Sequence, residues 1–136
     1  MDDCIFCKIV AGKIPCAKIY EDKEVLSFLD ISPANKGHTL VIPKKHYETL
    51  NDIPEKEIGK LMETVQKISK LIDRNLKPDG YNLLMSNKQA AEQVINHAHI
   101  HIIPRYATDD FKLTWTHKKY AEGEMETVKT KIAKGL

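Results

Sequence analysis

The chain has 136 residues, 42% of them hydrophobic, and 21 Lys plus Arg against 19 Asp plus Glu leave a net charge of +2. A chain of this length and composition amounts to one globular domain, buries its core without needing disulfides and is not disordered. It offers no electrostatic case for nucleic acid, because all its basic residues except Arg74 and Arg105 are Lys, which lacks the bidentate phosphate fork.

No apolar run approaches the roughly 18 residues of a membrane span. Asp2 and Asp3 stand where an export signal carries positive charge, so a cytoplasmic protein without membrane contact is expected. Asp3 is placed to cap a short helix over 4–10, which Gly12 stops. Strands are predicted over 17–21 and 25–29, turning at Asp22-Lys23. A loop from Ser32 to Gly37 then leads to a strand over 38–42, closed by Pro43. A long helix is predicted over 53–76, where Ile58, Leu61, Met62, Val65, Ile68, Leu71 and Ile72 form one apolar stripe. Asp52 and Glu55 have capping-box spacing around Pro54, and Pro78 and Gly80 end the helix. A strand over 81–86, a polar loop over 87–93 and a final strand over 94–103, ended by Pro104, follow. The tail holds a helix after His117, with Tyr120, Met125, Val128 and Ile132 loosely periodic. The chain therefore reads as a single domain, 1–136, of α+β class, with five strands in an antiparallel sheet and the long helix packed on one face.

Three of the six histidines fall within five residues, as His97-Ala98-His99-Ile100-His101-Ile102-Ile103. In a strand this alternation puts the three imidazoles on one face and Ala98, Ile100 and Ile102 on the other. Two chemistries can use such a row. A metal can take two or three of the rings, or one neutral imidazole can attack phosphorus while its neighbours donate hydrogen bonds to the anion. Cys4 and Cys7 form a C-x-x-C whose sulfurs share one side of a helix, which suits zinc. A redox motif would need a thioredoxin-like context, which is absent. Cys16 has no evident partner and reads as a packed thiol.

The histidine row resembles the motif of the histidine triad (HIT) family of nucleotide hydrolases and transferases. Further segments resemble the same family in the same order: Cys4-Ile5-Phe6-Cys7-Lys8-Ile9, Phe28-Leu29-Asp30-Ile31-Ser32-Pro33, the run from Gly37 to His46, and Ile102-Ile103-Pro104-Arg105-Tyr106. The similarity covers residues 4–106 and is nearest to the Hint/HIT-like hydrolase branch. His101 stands where the galactose-1-phosphate uridylyltransferase branch has glutamine, which favours hydrolysis over transfer.

The resemblance implies a HIT-like fold, a homodimer and a residue set. His99 is the nucleophile, and His101 and His38 orient it and contact phosphate. Gln93 supplies an amide on the leaving-group side. Asp30 accepts hydrogen bonds from ribose, and Ile5, Phe6, Ile9, Ile14, Phe28, Leu29 and Ile31 wall the purine. Ser86, Asn87 and Val94 complete the nucleotide-binding set. Structural zinc is implied on Cys4, Cys7, His46 and His97, and no catalytic Mg²⁺ is expected. The implied substrates are nucleoside phosphoramidates or related purine nucleoside monophosphate derivatives. The alternatives are a dinucleoside polyphosphate hydrolase and a zinc-stabilised nucleotide-binding scaffold with weak catalysis. The sequence departs from the family at Glu92 and Lys88, where Gly is common, at Val94, where Ser or Thr is frequent, and at Ser86, where Hint proteins usually carry Asn.

Overall fold

A computed structural model describes residues 3–136; Met1 and Asp2, one of the two acids read against export, lie outside them. The elements are α1 (Ile5–Val10), β1 (Lys18–Glu21), β2 (Val25–Leu29), β3 (Thr39–Pro43), α2 (Glu55–Leu76), β4 (Gly80–Leu84), β5 (Ile100–Arg105) and α3 (Glu124–Ile132). The strands form one antiparallel sheet in the order β1-β2-β3-β5-β4, so the α+β expectation holds. The last strand inserts beside β3, which sets His101 opposite Leu40 on one side and Leu84 on the other.

Side chains alternate across the sheet and bury both faces. Val25, Val41, Ile100 and Ile102 pack against the predicted α2 stripe at Leu61, Val65, Ile68 and Ile72. Leu26, Phe28, Leu40 and Ile42 pack on the other face with Phe6 of α1. The long helix and the short one therefore lie on opposite sides of the same strands. Gly37, at φ +91°, lets the loop before β3 pass under the end of α2: a Cβ there would stand 2.5 Å from Leu76 Cδ1 and 3.1 Å from Pro104 Cγ.

Several predicted boundaries move for identifiable reasons. The N-cap of α1 is Cys4, not Asp3, and its sulfur accepts from the Cys7 N–H at 3.4 Å. The capping box forms one turn early, with Thr49 and Asp52 closing a 3₁₀ turn over Leu50–Asp52; α2 itself starts after Pro54 without a side-chain cap. Its C-cap, Lys77, takes the left-handed conformation at φ 51°. β3 begins at Thr39, and β4 spans Gly80–Leu84 instead of 81–86.

The largest correction concerns the last strand, which starts at Ile100 rather than Val94 and runs through Pro104 to Arg105. Val41 pairs with Ile100, so the same register would place Ala98 opposite Pro43, whose nitrogen cannot donate. Ala98 N–H bonds the Tyr47 carbonyl instead, at 2.7 Å. Residues 92–99 consequently form a loop, and only His101 of the triad sits in a strand. The tail helix α3 is shorter than the predicted periodicity and buries no side chain; Tyr120 lies before it, exposed. No helix among the described residues is long and apolar enough to cross a membrane.

Candidate active site and metal centre

Pairing of β2 with β3 brings Asp30 beside His38, the residues just past and just before the two strands, and the Asp30 N–H bonds the His38 carbonyl at 2.9 Å. Asp30 Oδ1 accepts from the Ser32 N–H, and its Oδ2 lies 3.6 Å from His38 Nε2. Insertion of β5 next to β3 then places His101 against His38, with ring centroids 5.0 Å apart, and His99 against His101 at 4.9 Å.

Backbone partners fix which nitrogen of each ring carries the proton. His38 Nδ1 accepts from the Ala34 N–H at 3.0 Å, so the proton sits on Nε2, which donates to His101 Nδ1 at 2.8 Å. His101 is thereby left with its proton on Nε2. His99 Nδ1 meets the His97 carbonyl at 2.7 Å and must donate, which leaves His99 Nε2 with a free lone pair. His97 Nε2 likewise donates to the Pro43 carbonyl at 2.8 Å, freeing its Nδ1. Burial pushes His38, His97 and His99 below their ordinary values. His101 is driven down to about 4 by burial first and by neighbouring His99 and His38 after it. These rings are therefore neutral at pH 7, as a nucleophilic imidazole and N–H donors to an anion require.

The freed His97 Nδ1 faces a second constellation. It lies 3.4 Å from Cys4 Sγ and 3.6 Å from Cys7 Sγ, while His46 Nδ1 is 3.3 Å from Cys7 Sγ. All four ligand atoms fall within 4.8 Å of one another. A zinc tetrahedron of two sulfurs and two nitrogens has S···N edges of about 3.6 Å, so the donor set and its spacing fit zinc. The Cys7 thiol is pushed up by burial and by Cys4, and a cation between the sulfurs relieves both effects. Asp30, His38 and His101 also converge within that range, but the tautomer fixed by Ala34 keeps a proton on the His38 nitrogen facing the group.

The remaining expected residues divide. Phe6 is buried with its ring T-shaped to Phe28, His99 and His97, at 5.6, 5.2 and 5.8 Å. Ile9 packs in the same cluster, and Ile14 is half-buried. Ile5 and Leu29 are partly open, and Ile31 and Val94 project into solvent at 97% and 86% exposure. Ser86 is half-buried. Asn87 Oδ1 accepts from the Leu50 N–H. The Gln93 amide is fully engaged, accepting from the Lys88 N–H and donating to the Ile95 carbonyl of its own loop and to the Glu48 carbonyl of the segment after β3. The groups that set the tautomers, Ala34 N–H and the carbonyls of Pro43 and His97, are backbone atoms that no residue type announces. Lys88 and Glu92, noted only as departures, turn out to hold positive φ of 72° and 66°.

The sequence model of the HIT domain matches residues 11–108. The chain belongs to the HIT family. The crystal structure of a HIT family member from Bacillus subtilis superposes with a TM-score of 0.93 at 44% identity, over 98% of this chain and 97% of that one. A Zn-bound histidine triad family protein from Mycobacterium smegmatis gives a TM-score of 0.77 at 36% identity, covering 86% and 85%. Among HIT proteins of named activity, the adenosine 5'-monophosphoramidase hnt1 of Schizosaccharomyces pombe is 44% identical over 75% of this chain and 74% of its own.

Proposed function

We propose that this HIT protein is a nucleotide hydrolase that acts on nucleoside phosphoramidates or related purine nucleoside monophosphate derivatives through a nucleotidyl-histidine. One observation carries the reading: the His97 carbonyl holds His99 Nδ1–H, so the Nε2 lone pair is the free end of a neutral ring. The name of the S. pombe relative supports the substrate class. In the first step His99 Nε2 attacks the α-phosphorus, the P–N bond to the leaving group breaks, and the departing amine takes up a proton from solvent water, which the exposed Val94 side of the site admits. Water then attacks the nucleotidyl-histidine and releases the nucleoside monophosphate. The chain Ala34 N–H to His38 to His101 aligns its N–H groups in one direction, ending at His101 Nε2–H, which donates to phosphoryl oxygen. Asp30 receives the ribose hydroxyls, Phe6 and Phe28 bound the purine side, and Gln93 shapes the leaving-group loop.

Zinc on Cys4, Cys7, His46 and His97 ties α1 to the loop before β5, a structural role supported by the fitting donor set and by the Zn-bound relative. Tyr81 and Leu83 on edge strand β4 and Met62 on α2 are exposed apolar residues, which supports the homodimer. The test uses adenosine 5'-phosphoramidate labelled at phosphorus, mixed with protein and acid-quenched. Acid-labile label on wild type and none on His99→Ala is expected; unchanged turnover in His99→Ala would refute the mechanism.

A further inference from the structure

His97 belongs to two constellations at once. Its Nδ1 faces the sulfurs of Cys4 and Cys7, and its carbonyl oxygen takes the Nδ1–H of His99 at 2.7 Å. A second link runs through Phe6, which lies on α1 between the two cysteines and sets its ring edge-on to both His97 and His99. Residues 94–99 have no sheet ladder to hold them. Apart from the cysteine contacts, His97–His99 are tied to the body through the His97 ring on the Pro43 carbonyl and the Ala98 N–H on the Tyr47 carbonyl.

We propose that the metal centre positions the nucleophile: His97, held by the cation through its ring, orients His99 through its carbonyl, and Phe6 carries the same constraint from α1. His97 and Phe6 are thus positioning residues, and the inference rests on the reading of His99 as the nucleotide-contacting histidine. The arrangement of His97 that the cation selects is the one that aligns His99. A nucleotide seated on His99 therefore favours that arrangement too, so the two ligands are thermodynamically linked. Linkage is reciprocal, so zinc and AMP tighten each other's binding by the same factor, expected at about 5- to 20-fold.

The experiment uses full-length protein loaded with Co²⁺, whose d–d bands report the Cys2His2 geometry, and AMP as the probe. Saturating AMP is expected to shift those bands. In chelator competition it is expected to lower the Zn²⁺ dissociation constant about 5-fold or more. Phe6→Leu keeps all four ligands, so with AMP saturating for the variant, whose purine wall it also alters, it is expected to bind one zinc yet show less than half of that tightening. AMP binding that leaves both the Co²⁺ spectrum and the Zn²⁺ affinity unchanged overturns this inference and leaves the hydrolase reading intact. Full tightening in Phe6→Leu overturns the part assigned to Phe6. Failure of AMP to bind overturns the nucleotide reading and this inference together.

Discussion

Lys88 holds φ 72° and ψ 166°, a region that is essentially reserved for glycine and strains other residues by about 1–3 kcal/mol. Its backbone is held there from both sides. The N–H donates to Gln93 Oε1 at 2.7 Å, and the carbonyl accepts from Ala91 and Gln93 N–H at 3.2 Å each. Lys88→Gly keeps those three bonds and removes the strain, against about 0.5–1 kcal/mol of extra chain entropy in the unfolded state. The net expectation is a gain of about 1 kcal/mol, or roughly 3–4 °C in Tm for a chain of this size. Lys88→Ala is the matched control, because it also loses the charge but keeps a Cβ at the same φ. Thermal unfolding by circular dichroism and urea midpoints read both variants. A glycine variant that melts at or below the alanine variant refutes the reasoning, since strain would then not reside at this position.

Cys4→Ser keeps a competent helix cap while removing a soft ligand, so zinc per chain measured after dialysis should fall well below one with the far-ultraviolet spectrum retained. His101 titrates at about 4 in the folded protein and near 6.5 in the unfolded chain, so the unfolded state binds the proton first as pH falls. Stability should therefore drop between pH 6.5 and about 4, by at most about 3.4 kcal/mol from this residue and by less once solvent screening of the partly open ring is counted, and level off below. Urea midpoints at pH 7.5 and 4.5 should show a smaller drop in His101→Gln. Gly37→Ala adds a Cβ against Leu76 and Pro104 at positive φ and should lose about 1–3 kcal/mol in urea unfolding.

The elements with regular periodicity are legible in the amino-acid sequence. The stripe from Ile58 to Ile72 predicts α2 almost residue for residue, and strands are predicted within a residue of where β2 and β3 lie. The histidine row was legible as a constellation but not as a strand. Its onset depends on Pro43, more than fifty residues away, which ends the ladder before His99 can join it. Asp3 lost the cap of α1 to Cys4 because the sulfur already faces the Cys7 N–H and His97. The tautomers, and with them the free nitrogens of His97 and His99, follow from carbonyl groups whose positions only the folded chain defines. Lys88 and Glu92 stood out as missing glycines, and the backbone supplies the reason in their positive φ.

Helix α3 has nine residues and no buried side chain, with Met125 and Ile132 largely exposed. Isolated helices below about 12–15 residues are marginal in water, so its amide hydrogens have little within this chain to slow their exchange. Exchange at residues 124–132 is therefore a gauge of company: fast when the chain is alone, and slowed in proportion to whatever surface comes to cover the helix.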